Sequence, residues 1–561
     1  MRLGSDARRL LDDPAMNGLP GHAPSPSTRD PRTQARGRSR PLASPWSLAI
    51  ALVLVYVAAM VWVAQHRVVG DYLKETDFYH LYAPDADRIR SGQPPANTFN
   101  TGPAYPLFLA LAFPLTGDNF AAGKYLSLAA AVVTALAAFQ LFRGLFGDRA
   151  GGLGLLFLLV SADFARFSVQ ATTDMPFLAI AVLAMLAISR ATHGGGWTWG
   201  VAGGLSGLAY LIRYNGLFLV PTGLFAVRAS GRWPAPRLRN MALFVLGALV
   251  VVSPWLLLST RLHGTPFFNR THAMMAIAAY GLRRDLDGVY DAVERFQSIG
   301  DVVLHDPLRF FGQYVRNLTS TLVNTLAVPL AVLPVGLLAV AGAIQIAAGR
   351  AERRARPFLV SLVLFLLVVA LVHWESRYVL YLGVGCAGLA GYAIVTLGEE
   401  ARRRRGLTSR QAQVLFALLV LAVLAPALVR TPLRVSEMLQ RQPVELLVAA
   451  EKLRSLSGPG ARIMGRKPHL AYLAGGEWVF LPEVASLDAL EEALCRRPVT
   501  YLVYDDSARK LRRELSPLGD PNSSVPWLRA VHVDPAAPLI VYAVALDGRC
   551  SAAAQDGVPR P

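Results

Sequence analysis

The stretch WSLAIALVLVYVAAMVWVA, residues 46–64, is followed within a dozen residues by TDFYHLY, residues 76–82. The first stretch holds no charge and is long enough, at about 1.5 Å per helical residue, to cross a hydrocarbon core of about 30 Å. The second interleaves an acid, Asp77, with aromatic residues just beyond the end of that span. Those seven residues fit either the polar margin of a membrane helix or a reaction centre at the membrane edge. The rest of the chain has to decide between the two.

The apolar character recurs along the chain. Of 561 residues, 53% are hydrophobic and 17% charged, and the mean hydropathy is +0.38. A water-soluble domain rarely has this balance. Further apolar runs fall at about 121–143, 149–165, 174–192, 198–212, 216–229, 241–260, 318–348, 358–373, 378–397 and 411–429. They predict a polytopic α-helical membrane protein of about eleven spans. The formal charge is +18 and the pI near 10.2. The basic residues sit in short segments between apolar runs, which is a membrane-orientation pattern and argues against a nucleic-acid partner. The three cysteines lack the CxxC spacing of a metal site; Cys386 lies in an apolar run, Cys495 and Cys550 in the polar C-terminal part.

Residues 1–45 are rich in Pro, Arg, Ser and Gly and read as a disordered tail. A lead of that length suits a retained anchor better than a cleaved signal. Arg36, Arg38 and Arg40 then place the N-terminus in the cytoplasm. Alternating sides puts five arginine groups in cytoplasmic loops. They are Arg143 with Arg149, Arg190, Arg228 to Arg239, Arg350 to Arg356, and Arg402 to Arg405 with Arg410. The opposite side receives a loop over about 65–120, a long loop over 261–317 that mixes arginines with acids, and everything after about 430. The expected organisation is a tail over 1–45, a transmembrane domain over 46–429 and an extracytoplasmic domain over 430–561. Within the first outer loop, AYPLFLALAFPL (104–115) is too short to span and reads as an interfacial or re-entrant helix.

The C-terminal part alternates helical and strand patterns. Helices are expected at 443–456, 486–494 and 507–515, and strands at 461–465, 477–481, 499–505, 528–533 and 539–545. Such alternation favours a small α/β domain with a mostly parallel sheet. SGPGAR (457–462) reads as a turn rather than a nucleotide fingerprint, which leaves a structural, acceptor-facing or partner-docking role. A Cys495–Cys550 disulfide is permitted in a translocated domain.

Four polar stretches fall at span edges on the side opposite the arginine-rich loops. They are ETDFYHLYAPDADRIRSGQPP (75–95), QATTDMPF (170–177), LIRYNG (211–216) and HWESRYVLY (373–381). Ionisable residues at such positions are costly and face a cavity or the interface. Each also has an ordinary reading. Asp77 fits a solvated helix end, and Asp174, between Thr173 and Pro176, fits a helix start. Arg213 fits a snorkelling anchor, and Glu375 with Arg377 a local ion pair. Tyr79, Tyr82 and Tyr378 fit an aromatic belt. His80 suits pairing with Asp85 or Asp87 better than metal ligation.

In their order along the chain these stretches resemble the GT-C superfamily of polyprenyl-phosphate-sugar-dependent glycosyltransferases. Its branches include protein O-mannosyltransferases and aminoarabinose transferases. The resemblance is carried by Asp-Phe-x-x-x-Tyr after the first span, by TGPAYPLFLAL, and by a second Asp opening a later helix. A basic residue at a middle junction and HWESRY complete it; the latter is similar to the His-x-Glu-x-Arg-aromatic signature of some lipid-linked mannosyltransferases. It covers roughly residues 46–400 in architecture and only short stretches in motif.

The resemblance implies a polyisoprenyl-phosphate-linked sugar as donor, membrane lipid as surroundings, and a protein, lipid or glycan hydroxyl as acceptor. Asp77 would be the base, since a carboxylate is ionised at neutral pH and can take the hydroxyl proton when positioned. Asp174 would be the second acid of the site. Arg213 and Arg377, with His373, Glu375 and Tyr378, would surround the lipid phosphate, which suits the planar donor fork of arginine. Tyr79 and Tyr82 would contact sugar or acceptor. Several branches carry Asp-Glu at the first position, whereas here Phe78 follows Asp77. A divalent metal is left open, because the superfamily varies and no ligand cluster stands out in the sequence. A transporter or lipid flippase is the alternative. It would place ionisable residues near the bilayer midplane within an internal repeat; no repeat is visible, and the acids sit at span edges.

Overall fold

The structure is a computed structural model that describes residues 44–550 except 100, 231–233, 328–332, 350, 352, 524, 547 and 548. The tail expected over 1–45 falls outside the described residues up to residue 43, as do Arg232 and Arg350. Among the described residues, six helices are long and apolar enough to cross a membrane. They include Pro45–Gln65, Asn119–Phe146 and Asp174–Gly194. The remaining apolar runs are shorter or broken. The run at 149–165 breaks at Ser161, whose hydroxyl accepts from Phe164 N and starts a new helix, Ala162–Phe167. In the run at 318–348 the described helices are Pro307–Ala327 and Leu333–Ala347, with 328–332 outside the described residues. AYPLFLALAFPL forms the helix Ala104–Thr116, ended by Gly117 in the left-handed region at φ 69°. At about 1.5 Å per residue it reaches about 20 Å, short of a bilayer core.

Lipid tails are as apolar as leucine, so helices in a membrane meet through close packing of small residues. Thr198–Ile212 lies against Pro234–His263 in this way: a Cβ on Gly203 would sit 1.9 Å from the Phe244 carbonyl oxygen, and one on Gly247 2.1 Å from that of Gly200. The first helix buries Ala49, Val53, Tyr56, Met60 and Val63, a stripe at spacings of three and four, and exposes Leu48, Leu54, Val55 and Trp62 on its remaining surface.

The long loop over 261–317 is largely helical, with Thr271–Tyr280, Leu286–Arg295 and Ile299–His305 preceding Pro307–Ala327. At the other end of the chain, the helix Ser409–Gln440 runs past residue 430, and the sheet follows it. Its strands are β1 (Arg462–Gly465), β2 (Glu477–Phe480), β3 (Tyr501–Tyr504), β4 (Leu528–Val533) and β5 (Ile540–Val544), in the order β2-β1-β3-β5-β4. The expected strands all form, but the sheet is mixed rather than mostly parallel. β1 is parallel to β2 and β3, whereas β5 is antiparallel to β3 and β4. The cause is local: β4 returns to β5 through a turn at 534–539, with no helix to carry a parallel crossover. Cys495 and Cys550 are disulfide-bonded, with Cα atoms 5.4 Å apart.

The long loop and the sheet domain are joined by charge. Arg466 and Arg512, 1% and 0% exposed, reach Asp287 at 3.3 and 2.7 Å, and Arg466 also reaches Asp285 at 3.2 Å. Buried guanidinium groups need such partners, since an unpaired buried charge is strongly destabilising.

Candidate functional site

The loop after the first span is fixed before any chemistry is considered. Arg67 and Glu75 form an ion pair with no solvent exposure. Arg67 donates to the Val169 carbonyl at 2.5 Å, while Glu75 accepts from Ala171 N at 2.7 Å and Asp71 N at 2.9 Å. These bonds tie the loop to the segment that precedes Asp174. Asp85 accepts from the amides of Ala96 and Asn97, each at 2.9 Å, and closes the loop further on. Gly102 passes so near Leu211 that a Cβ would lie 2.0 Å from its carbonyl oxygen. The glycine of TGPAYP therefore lets this loop reach the Arg213 junction.

TDFYHLY folds into a short π-helical turn, Phe78–Tyr82, that runs into Ala83–Arg90. Such wide turns are rare and re-aim side chains. Phe78, Tyr79 and Leu81 are buried, while the Asp77 side chain keeps 40% of its surface exposed. Asp77 lines a cavity of about 2380 Å³ together with His80, Tyr82, Asp174, Arg213, His373, Glu375, Arg377 and Tyr378.

Within the cavity, four chain segments converge. Arg377 Nη1 donates to Asp77 Oδ2 at 3.4 Å, Nε to Glu375 Oε2 at 2.9 Å and Nη2 to the Tyr378 hydroxyl at 3.2 Å. Lys74 Nζ donates to Glu375 Oε2 at 3.0 Å, and His373 Nε2 lies 3.5 Å from Oε1. Burial raises the Glu375 pKa, but the hydrogen bond with His373 and the charges of Arg377 and Lys74 outweigh it and hold the carboxyl well below its usual range. Arg213 pairs with Asp174 Oδ1 and donates to Thr173 Oγ1 at 3.4 Å. The two guanidinium groups share one ring, lying 5.4 Å (Arg213) and 5.0 Å (Arg377) from the centre of Tyr378. Asp174 opens its helix without capping it: its carboxylate turns to Arg213, and Oδ2 is buried with no hydrogen-bond partner. Three carboxylates, Asp77, Asp174 and Glu375, and two planar cations thus face one space, with Asp77 the carboxylate most open to it.

Other expected residues take different places. Tyr79 does not line the cavity. Its hydroxyl accepts from Gly70 N at 2.9 Å, and its ring packs on Phe120, His469 and Tyr472. Tyr82 lines the cavity edge-on to Tyr105, with 5.1 Å between ring centres. His80 pairs with neither Asp85 nor Asp87. The former is taken by Ala96 and Asn97 and the latter by Arg90 and Asn119, so the imidazole packs edge-on to Trp478 at 4.6 Å. Burial lowers its pKa to about 4, which leaves it neutral at pH 7.

Sequence reasoning missed the sheet domain's share of the site. Lys467 Nζ donates to the Tyr72 carbonyl at 2.7 Å and to Thr76 Oγ1 at 3.2 Å, directly before Asp77. The residues after it form a five-residue helix, His469–Leu473, too short to carry a period; Pro468 at its cap was the only signal. Among the described residues, no group of three or more His, Cys, Asp or Glu side chains is placed to hold a metal ion. Asp77 and Asp174 each face a guanidinium group instead, so these residues do not fit a metal.

Residues 100–258 match the family model of dolichyl-phosphate-mannose-protein mannosyltransferase. No curated protein sequence matches the chain significantly. Solved structures share its fold. ArnT from Cupriavidus metallidurans bound to undecaprenyl phosphate is 14% identical at TM-score 0.56, over 92% of this chain and 100% of that one. The oligosaccharyltransferase of Archaeoglobus fulgidus in complex with Zn and sulfate is 13% identical at TM-score 0.57, over 89% and 73%. The archaeal oligosaccharyltransferase AglB from Archaeoglobus fulgidus, in complex with an inhibitory peptide and a dolichol-phosphate, is 12% identical at TM-score 0.52, over 83% and 70%. Likeness at this identity concerns the fold, and the family-model match covers residues 100–258, the segment that holds Asp174 and Arg213.

Proposed function

We propose that the chain transfers a sugar from a polyisoprenyl-phosphate donor to an acceptor hydroxyl. One observation carries the reading: Asp77 and Arg377, 300 residues apart, meet at 3.4 Å in a cavity where Arg377 shares the Tyr378 ring with Arg213. The acceptor oxygen attacks the anomeric carbon, and a new C–O bond forms as the bond to the phosphate oxygen breaks. The electron pair leaves with the lipid phosphate, whose charge Arg377 and Arg213 hold. The hydroxyl proton passes to the Asp77 carboxylate. Glu375 and Asp174 position the two guanidinium groups; His373 holds Glu375, and Tyr378 supplies the ring between them. Undecaprenyl phosphate and dolichol-phosphate, held by the structural neighbours, belong to the same donor class.

The proposed location is the outer face of a cytoplasmic membrane, with the N-terminus in the cytoplasm and the domain after about 430 outside. Helix by helix, site residues and arginine clusters stand at opposite ends. Asp174 opens a helix whose last turns hold Arg190, and Arg377 precedes one that ends in Arg402 to Arg405. That asymmetry is the positive-inside pattern, and the Cys495–Cys550 disulfide suits an oxidising compartment. Deleting the gene in the source organism and profiling its lipid-linked sugars tests the reading. A polyprenyl-phosphate sugar accumulates and one envelope glycan disappears if it holds; unchanged pools of both contradict it.

A further inference from the structure

The cavity continues past Asp77 along a wall that the donor chemistry leaves unused. His80 stands three residues after Asp77 and packs edge-on to the ring of Trp478 at 4.6 Å. Trp478 and Phe480 are alternate residues of β2, so both project from the same face of the sheet, and β2 is an edge strand. Their ring centres are 5.9 Å apart, and Tyr290 of the long loop lies 5.2 Å beyond Phe480. All four rings line the cavity. The result is a line of aromatic rings, edge-on or tilted to one another, that runs from beside Asp77 into the sheet domain.

The wall is held rather than loose. The Trp478 indole N–H donates to the Gly465 carbonyl at 3.0 Å, which fixes the ring and leaves no free donor. Arg466 lies 5.0 Å and Arg512 5.9 Å from the centre of Phe480, and both arginines are fixed by Asp287. Fixed aromatic faces suit a ligand whose own faces carry C–H groups, as the faces of sugar rings do. A peptide strand would instead need pairing backbone, and β2 offers only four residues.

The geometry points to an acceptor subsite for an oligosaccharide: the acceptor is a glycan whose terminal hydroxyl reaches Asp77 while its inner rings lie on His80, Trp478 and Phe480. This rests on the proposed transfer reaction and names its acceptor class. Binding can be read without donor or turnover, so the two fail separately.

The test uses the full chain in nanodiscs. It is screened by fluorescence and calorimetry against neutral and anionic oligosaccharides of two to six rings, and against Ser/Thr peptides. The expected result is saccharide binding that strengthens from two rings to three or more. Trp478→Ala should weaken it at least tenfold, and Trp478→Phe, which keeps the ring and loses the N–H, should restore it to within about threefold. An unaltered melting temperature in Trp478→Ala separates ring loss from misfolding. Binding of peptides alone, no saccharide binding across the panel, or equal binding by Trp478→Ala would overturn the proposal.

Discussion

The Asp174 side chain is 1% exposed, pairs with Arg213 through Oδ1 and leaves Oδ2 without a partner. A buried pair loses about 3–5 kcal/mol when one partner alone is removed, because the other charge is stranded. Asp174→Ala is therefore expected to lower stability by that order in thermal unfolding, and Asp174→Ala with Arg213→Met to recover part of it. A loss that simply adds across the two substitutions would show that the residues do not interact. Residues of this kind were legible in the sequence, since an arginine or aspartate interrupting an apolar edge has few places to go. Tyr79 was not. Its packing partners His469 and Tyr472 come from a segment almost 400 residues away, and nothing local to TDFYHLY separates the tyrosine that packs from the one that lines the cavity.

At the scale of elements, the short helix His469–Leu473 braces the Asp77 loop. His469 is fully buried, with Nε2 3.2 Å from the Asp71 carbonyl oxygen and Nδ1 without a partner. The neutral ring donates through Nε2. Burial first, then the nearby Lys467 charge, lowers its pKa to about 3, below the ordinary 6.5. The unfolded chain therefore takes up a proton between about pH 6.5 and 3 that the folded chain refuses, and stability falls as the pH drops through that window. Melting temperature measured against pH is expected to decline there, and His469→Phe to flatten the decline; equal slopes in both proteins would contradict the assignment. This element was hidden in the sequence because five residues carry no periodicity. The longer helices and the strands of the sheet were visible through theirs. The sheet's mixed direction was legible too, since the five residues between the expected strands 528–533 and 539–545 are too few for a parallel crossover.

At the scale of the whole molecule, three regions distant in sequence enclose one cavity: the first loop, the long loop and the sheet domain. The Cys495–Cys550 link closes a sequence separation of 55 residues. In the chain-entropy account a loop of that size stabilises by roughly 4 kcal/mol. Reduction is expected to lower the sheet domain's unfolding midpoint by that order, and a midpoint insensitive to reductant would contradict it. General bases contribute about 10²- to 10⁴-fold to rate. Purified Asp77→Asn, given a polyprenyl-phosphate sugar and acceptor, is expected to bind the donor as the unaltered protein does and to transfer at least about a hundredfold more slowly. Transfer at the unaltered rate would contradict the assignment of Asp77 as the base.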